Sequence, residues 1–128
     1  MNTDTTEQQA VRSVLDQWAA AIRDVDLDGV MANHTEDLVM YDVPPPFRND
    51  GLEAYRASWD LFYRYSDGGP DSFRLTDVVT EVGDTVAFAH ATINIADFRC
   101  RLSVGLRKVD GAWLISHEHH SSPSEAPA

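Results

Sequence analysis

The stretch Asp110-Gly111-Ala112-Trp113-Leu114-Ile115-Ser116-His117-Glu118-His119-His120-Ser121-Ser122-Pro123 constrains the fold more than any other part of this chain. An Asp-Gly pair between two largely apolar runs marks a tight hairpin turn. The residues that follow alternate with a period of two. A strand therefore places Trp113, Ile115, His117, His119 and Ser121 on one face. That face is apolar at the turn end and polar at the far end. It suits a strand that runs from a core into the mouth of a pocket, with the rest of the chain supplying the other walls.

Three more strands precede this one. Phe73 to Val82 leads into a Gly83-Asp84 turn, Thr85 to Ile95 into a turn near Ala96-Asp97, and Phe98 to Val109 into the Asp-Gly turn. The first half of the chain is helical in pattern. Val11, Val14, Leu15, Trp18, Ile22 and Val25 form one apolar stripe, with Arg12, Asp16, Gln17 and Arg23 opposite. Asp4 and Glu7 are spaced as a capping box. Asp26 is placed to cap a second, shorter helix carrying Leu27, Val30 and Met31, which His34 closes. Leu38 to Val43 reads as a short strand, ended by Pro44-Pro45-Pro46 because proline cannot donate to a sheet ladder. Asp50 and Glu53 form a second capping box for a third helix. Its stripe of Leu52, Tyr55, Trp59, Phe62 and Tyr63 is unusually aromatic, and Asp67-Gly68-Gly69-Pro70 breaks it.

Helices followed by consecutive hairpins predict an α+β fold, with three N-terminal helices packed on a curved, mostly antiparallel sheet. Such a sheet encloses a cone, and the helices bring Trp18, Tyr55, Trp59, Phe62 and Tyr63 to its wall. The 128 residues suffice for one domain, 1–128. Met1 to Thr3 are expected to fray and the tail, 123–128, to be disordered. The formal net charge of -11 repels phosphate backbones and anionic lipid, so no nucleic acid and no membrane partner is expected. The single cysteine, Cys100, allows no internal disulfide and reads as a small buried apolar residue. Met1 to Gln9 carry no signal-peptide pattern and no apolar run approaches a membrane span, so a cytoplasmic location is expected.

Order and ending together make the chain resemble the SnoaL-like branch of the NTF2-like superfamily, which includes ketosteroid isomerases and polyketide cyclases. The resemblance covers nearly the whole chain. Its most specific part is Asp-Gly-x-Trp-x-Ile-x-His-x-His-x-Ser from Asp110 to Ser121, with Pro123 in step. The association domain of calcium/calmodulin-dependent kinase II ends in a similar way. Leu38 to Pro45 and Gly51 to Arg56 look like uncharacterised bacterial members described as ketosteroid isomerase-like. The resemblance implies a cone-shaped, usually dimeric fold with an apolar pocket, and no single activity.

His117, His119 and Asp42 are the candidate catalytic residues. Two imidazoles on one strand face serve as acid and base near neutral pH or bind a ligand carboxylate, and the alternative is that they are hydrogen-bonded structural residues with Ser121. Asp42 ends a strand near the cone's mouth, where it is either a general base or a carboxylate capping the turn before the prolines. The isomerases use an aspartate base assisted by a tyrosine and a second, protonated aspartate, and this chain shows no obvious second aspartate. Ligand-binding candidates are Trp18, Tyr41, Tyr55, Trp59, Phe62, Tyr63, Phe88, His90, Leu102, Val104 and Ser121. A His-x-His pair needs further ligands to hold a metal, and His90 is the one helper; neither metal nor cofactor is expected.

Arg99, Arg101 and Arg107 alternate with apolar residues, as a solvated or dimer-facing row or as an anion clamp inside the cone. A two-residue turn at Asp110-Gly111 pairs Leu106 with Ile115, Val104 with His117 and Leu102 with His119. It leaves Arg101, Glu118 and His120 on the other face. A three-residue turn would instead place Arg101 and Ser103 beside His119 and His117. The first joins two apolar faces into one core and is preferred. The charges it sends to the outer face suit a homodimer. Two functions fit: an isomerase- or cyclase-like enzyme moving a proton on a small hydrophobic carbonyl compound, or a non-catalytic binding or assembly domain.

Overall fold

The computed structural model describes residues 3–124. Helix α1 spans Thr3–Arg23, α2 Leu27–Met31 and α3 Gly51–Phe62; the strands are β1 His34–Tyr41, β2 Asn49–Asp50, β3 Arg74–Val82, β4 Val86–Ile95, β5 Phe98–Val109 and β6 Ala112–Ser121. They form one sheet in the order β2-β1-β6-β5-β4-β3. Every neighbouring pair is antiparallel except β1 and β6. The sheet is curved and open, with the helices on one face, as the α+β reading expects. The expectations for Met1, Asn2 and residues 125–128 lie outside the described residues.

The α1 stripe buries Val11, Leu15, Trp18 and Ile22. Opposite it lie Ala87, Ala89, Leu102, Val104, Leu106 and Ile115 from β4, β5 and β6, also buried. Removing each larger side chain from water contributes about 1.5–3 kcal/mol. Of the two expected capping boxes, the one at Asp50 does not form. Thr3 is already helical, so Asp4 sits inside the helix, and its side chain lies outside the described residues. Glu7 instead accepts hydrogen bonds from Trp113 Nε1 at 2.8 Å and Lys108 Nζ at 3.0 Å, pinning α1 to the last hairpin. Asp50 makes no capping bond and accepts from Arg48 Nε at 2.6 Å. Asp26 does cap α2, accepting from Gly29 N at 3.1 Å. His34 does not close that helix; it opens β1.

Helix α1 ends in a Schellman motif. Asp26 N donates to Ala21 O at 3.0 Å and Val25 N to Ile22 O at 3.2 Å. That puts Val25 in the left-handed position, at φ 55°, which glycine normally fills. A β-branched residue is strained there. Val25 is 44% exposed, so little packing opposes a change. Val25→Gly is expected to stabilise the fold by about 1 kcal/mol, read as a higher urea midpoint at unchanged slope. An unchanged or lower midpoint would refute the strain.

The last hairpin decides where the site lies. Val109 pairs with Ala112 across a two-residue turn, and Asp110 and Gly111 have φ of 50° and 83°. This is the turn that Asp-Gly favours. Leu106 pairs with Ile115, as expected. The next pair is Gly105 with His117, so Ser116 is an extra residue on β6, a β-bulge. Beyond it the faces exchange. Val104 pairs with Glu118, Leu102 with His120 and Ser103 with His119. Trp113 and Ile115 point into the cone, then Glu118 and His120 do; His117, His119 and Ser121 turn outward. Gly105 lies opposite the bulge, where a Cβ would stand at contact distance, 3.4 Å, from His117 Cβ.

Candidate functional site

The exchange of faces carries a carboxylate into the core. Glu118 is fully buried and surrounded by donors. Its Oε2 accepts from Tyr55 OH at 2.6 Å and His34 Nε2 at 2.7 Å, and its Oε1 from His120 Nε2 at 2.8 Å. Tyr55 OH in turn accepts from Trp18 Nε1 at 2.8 Å. His34 Nδ1 lies 2.8 Å from Ala32 O. Both nitrogens of His34 thus face oxygen atoms. Three elements thus meet on one carboxylate, β1, α3 and β6, and α1 joins through Trp18 and Tyr55.

The electrostatics follow from these contacts. Burial by itself pushes the Glu118 carboxyl up, but the hydrogen bonds and charges of His120 and His34 outweigh it and hold it at about 2. Burial also opposes charge on His120. The hydrogen bond and charge of Glu118, with Asp42 adding, more than offset this and raise its pKa above the ordinary 6.5. Burial and the Glu118 charge push Tyr55 well above 10, so it stays a phenol that donates to Glu118.

His120 is where this buried network meets open space. A cavity of about 320 Å³ lies between α3 and the far end of the sheet. Trp59, Phe62, Phe73, Ile93 and Cys100 form much of its wall, and its polar corner is Asp42 and His120. Tyr65, Phe98 and Val43, which also line it, are exposed, and mark its mouth. His120 Nδ1 stands 3.8 Å from Asp42 Oδ1. That oxygen also accepts from Val43 N at 2.8 Å, the turn-capping role considered for Asp42. Burial, with Asp42 adding, pushes the Cys100 thiol up, so it is no thiolate nucleophile.

Of the residues singled out from the sequence, Asp42, Trp59 and Phe62 lie on this cavity. The others are placed elsewhere. His117 and His119 flank Tyr41 on the outer face, each ring centroid 5.6 Å from its own. His117 Nδ1 is held by Val39 O at 2.8 Å. Phe88 and His90 are exposed on the outer face of β4, because Ala87 and Ala89 take the inner one. His90 pairs with Ser103, which pairs with His119, so a whole strand separates the two histidines. Trp18 and Tyr55 are core members of the network behind His120, and Leu102 and Val104 pack in the core beneath α1. Tyr63 OH is tied to Ile22 O at 2.8 Å. Ser121 pairs with exposed Arg101. The arginine row faces outward and Arg107 pairs with Asp37, so no anion clamp lines the cavity.

His34, Glu118 and His120 were missed as site residues because strict alternation placed Glu118 and His120 outside. One signal was available: Gly105, a lone glycine inside a strand of branched and charged residues, which often marks a bulge.

An apolar-walled cavity with a carboxylate-backed imidazole in its wall makes this a small α+β pocket protein. The chain belongs to the SnoaL-like domain family, whose family model matches residues 11–125. No curated protein matches it. Among solved structures, an NTF2-like protein of unknown function from Pseudomonas putida KT2440 is 28% identical with a TM-score of 0.85, over 94% of this chain and 89% of that one. A candidate dehydratase of the NTF2-like family from Streptomyces avermitilis is 16% identical with a TM-score of 0.80, over 94% and 99%. A candidate scytalone dehydratase from Novosphingobium aromaticivorans is 14% identical with a TM-score of 0.75, over 98% and 93%. The last two show the shared fold. No helix among the described residues is long and apolar enough to cross a membrane.

Proposed function

We propose that this protein is an enzyme that moves a proton on a small hydrophobic carbonyl compound, with His120 as the proton carrier. The observation that carries this reading is the His120 ring, held by buried Glu118 at 2.8 Å on the wall of a mostly apolar cavity. With its proton on Nε2, donated to Glu118, the neutral ring keeps a lone pair on Nδ1. That nitrogen takes a proton from a carbon beside the substrate carbonyl. The C–H electron pair forms the new C=C bond while the carbonyl π pair moves onto oxygen, giving an enolate, and the imidazolium is stabilised by Glu118 and Asp42. Returning the proton to another carbon is isomerisation; giving it to a departing hydroxyl is dehydration, the activity ascribed to two structural neighbours.

Deuterium uptake from heavy water into bicyclic ketones such as tetralone and indanone tests this. His120→Gln is expected to slow enzyme-dependent uptake by about 10²–10⁴-fold. A variant as fast as the wild type would remove His120 from the mechanism. A non-catalytic binder is the second reading. It is favoured by the absence of any Lys or Arg among the lining residues that would stabilise an enolate. Such a protein shows no uptake above background with either form.

We also propose a homodimer through the outer sheet face, now without the charges of Glu118 and His120. Val79, Val86 and Phe88 support it, being 42%, 60% and 55% exposed there. Light scattering of a monomer at micromolar concentration would refute it.

A further inference from the structure

We propose that the ligand of the cavity carries a protonated amine, which Asp42 binds at the polar corner beside His120. The proposal rests on the reading of this cavity as a small-molecule site, and it names the chemistry that the ligand brings.

The polar corner lacks donors. Asp42 Oδ1 accepts from Val43 N, and no hydrogen bond reaches its Oδ2 from the described residues. Its side chain is only 20% exposed and borders an apolar cavity. A carboxylate oxygen in that position is open to a hydrogen bond from a ligand donor in the cavity. Only when it is neutral does His120, with its one N–H spent on Glu118, offer Nδ1 as a second acceptor beside Asp42. An ammonium group brings a positive charge and several N–H donors to the Asp42 carboxylate, where a hydroxyl brings one donor.

Charge points the same way. No Lys or Arg lines the cavity, and the whole chain carries a formal net charge of -11. A carboxylate ligand would meet Asp42 with no side-chain cation other than protonated His120. The aromatic wall of Trp59, Phe62, Tyr65, Phe73 and Phe98 tolerates a cation, because ring faces attract positive charge. The cavity's size suits a two-ring body.

Calorimetric titration with three matched probes tests the proposal: naphthylmethylamine, naphthylmethanol and naphthoate. The amine is expected to bind at least about tenfold more tightly than the carboxylate, or about 1.4 kcal/mol. Asp42→Asn, which keeps an acceptor for Val43 N, is expected to abolish that advantage while naphthylmethanol binds as before. Naphthoate binding as well as the amine, or an amine affinity unmoved by Asp42→Asn, would overturn the proposal and leave the cavity reading standing. If none of the probes binds to the wild type, the cavity reading fails and the proposal fails with it.

Discussion

Glu118→Ala is expected to destabilise the fold by about 3–5 kcal/mol, the usual loss when one partner of a buried ion pair is removed. The carboxylate is the shared acceptor of His34, Tyr55 and His120, and all three side chains are buried. Without it, three donors face one another in a space too apolar to hydrate them. Glu118→Gln should fall between alanine and the wild type, because its amide still accepts on one side but sets a donor against a donor on the other. The same group shapes the pH dependence of stability. A folded-state value of about 2 against an ordinary 4.5 means that the contribution is present above about pH 4.5 and is lost as pH falls towards 2. Its size is about 3 kcal/mol. His120 acts in the opposite sense. Its raised pKa contributes stability below about 6.5 that disappears as pH rises through the folded value. Stability should therefore be highest between these limits. Urea unfolding across this range should show an acid limb in the wild type and a much flatter one in Glu118→Ala. An equally steep acid limb in the variant would move the responsible carboxylate elsewhere.

Trp59→Ala is expected to cost about 3–5 kcal/mol and to weaken any cavity ligand. The sequence places this residue on the pocket wall; in the structure it is wall and core at once. Trp59 is 4% exposed and packs at about a right angle on Phe62 and Phe73, with ring centroids 5.2 and 5.8 Å away. It also touches the aromatic system behind the network, 6.2 Å from both Trp18 and Tyr55. Deleting the indole merges its volume with the existing cavity, so the ligand loses a wall as the fold loses a contact. Its Nε1 is buried without a hydrogen-bond partner. Trp59→Phe keeps most of the ring contact and removes that orphan donor, so it should be much milder than alanine. Melting and probe binding on both variants check this. Alanine behaving like phenylalanine in both would show that the ring carries no such load.

The limits of strict alternation explain the misplaced residues. His117 and His119 were put on the pocket face by counting in twos from Trp113, and the count is right as far as Ile115. One inserted residue, Ser116, sends every later side chain to the opposite face. Tyr55 shows a related limit. Its place in the aromatic stripe of α3 is legible from spacing, but its partner is Glu118, 63 positions away. His34 looked like the end of a short helix because nothing nearby in the chain hints at the carboxylate it meets.

What the sequence by itself determined is what local chemistry controls: the helical stripes, the Asp26 cap, the meander of hairpins and the Asp110-Gly111 turn, whose two positive φ angles few other residue pairs accept. The tertiary structure alone decided which face of β6 looks inward. That choice depends on the bulge opposite Gly105, and on β1 lying parallel to β6 with Val39 beside His117 and Met40 beside Glu118. It also decided that a valine would take the left-handed position at the end of α1, where Gly69 N donates to Arg23 O at 2.9 Å and a Cβ on Gly68 would collide with that carbonyl. The physical reason is the same in both places: the free energy that selects these conformations comes from partners far away in sequence.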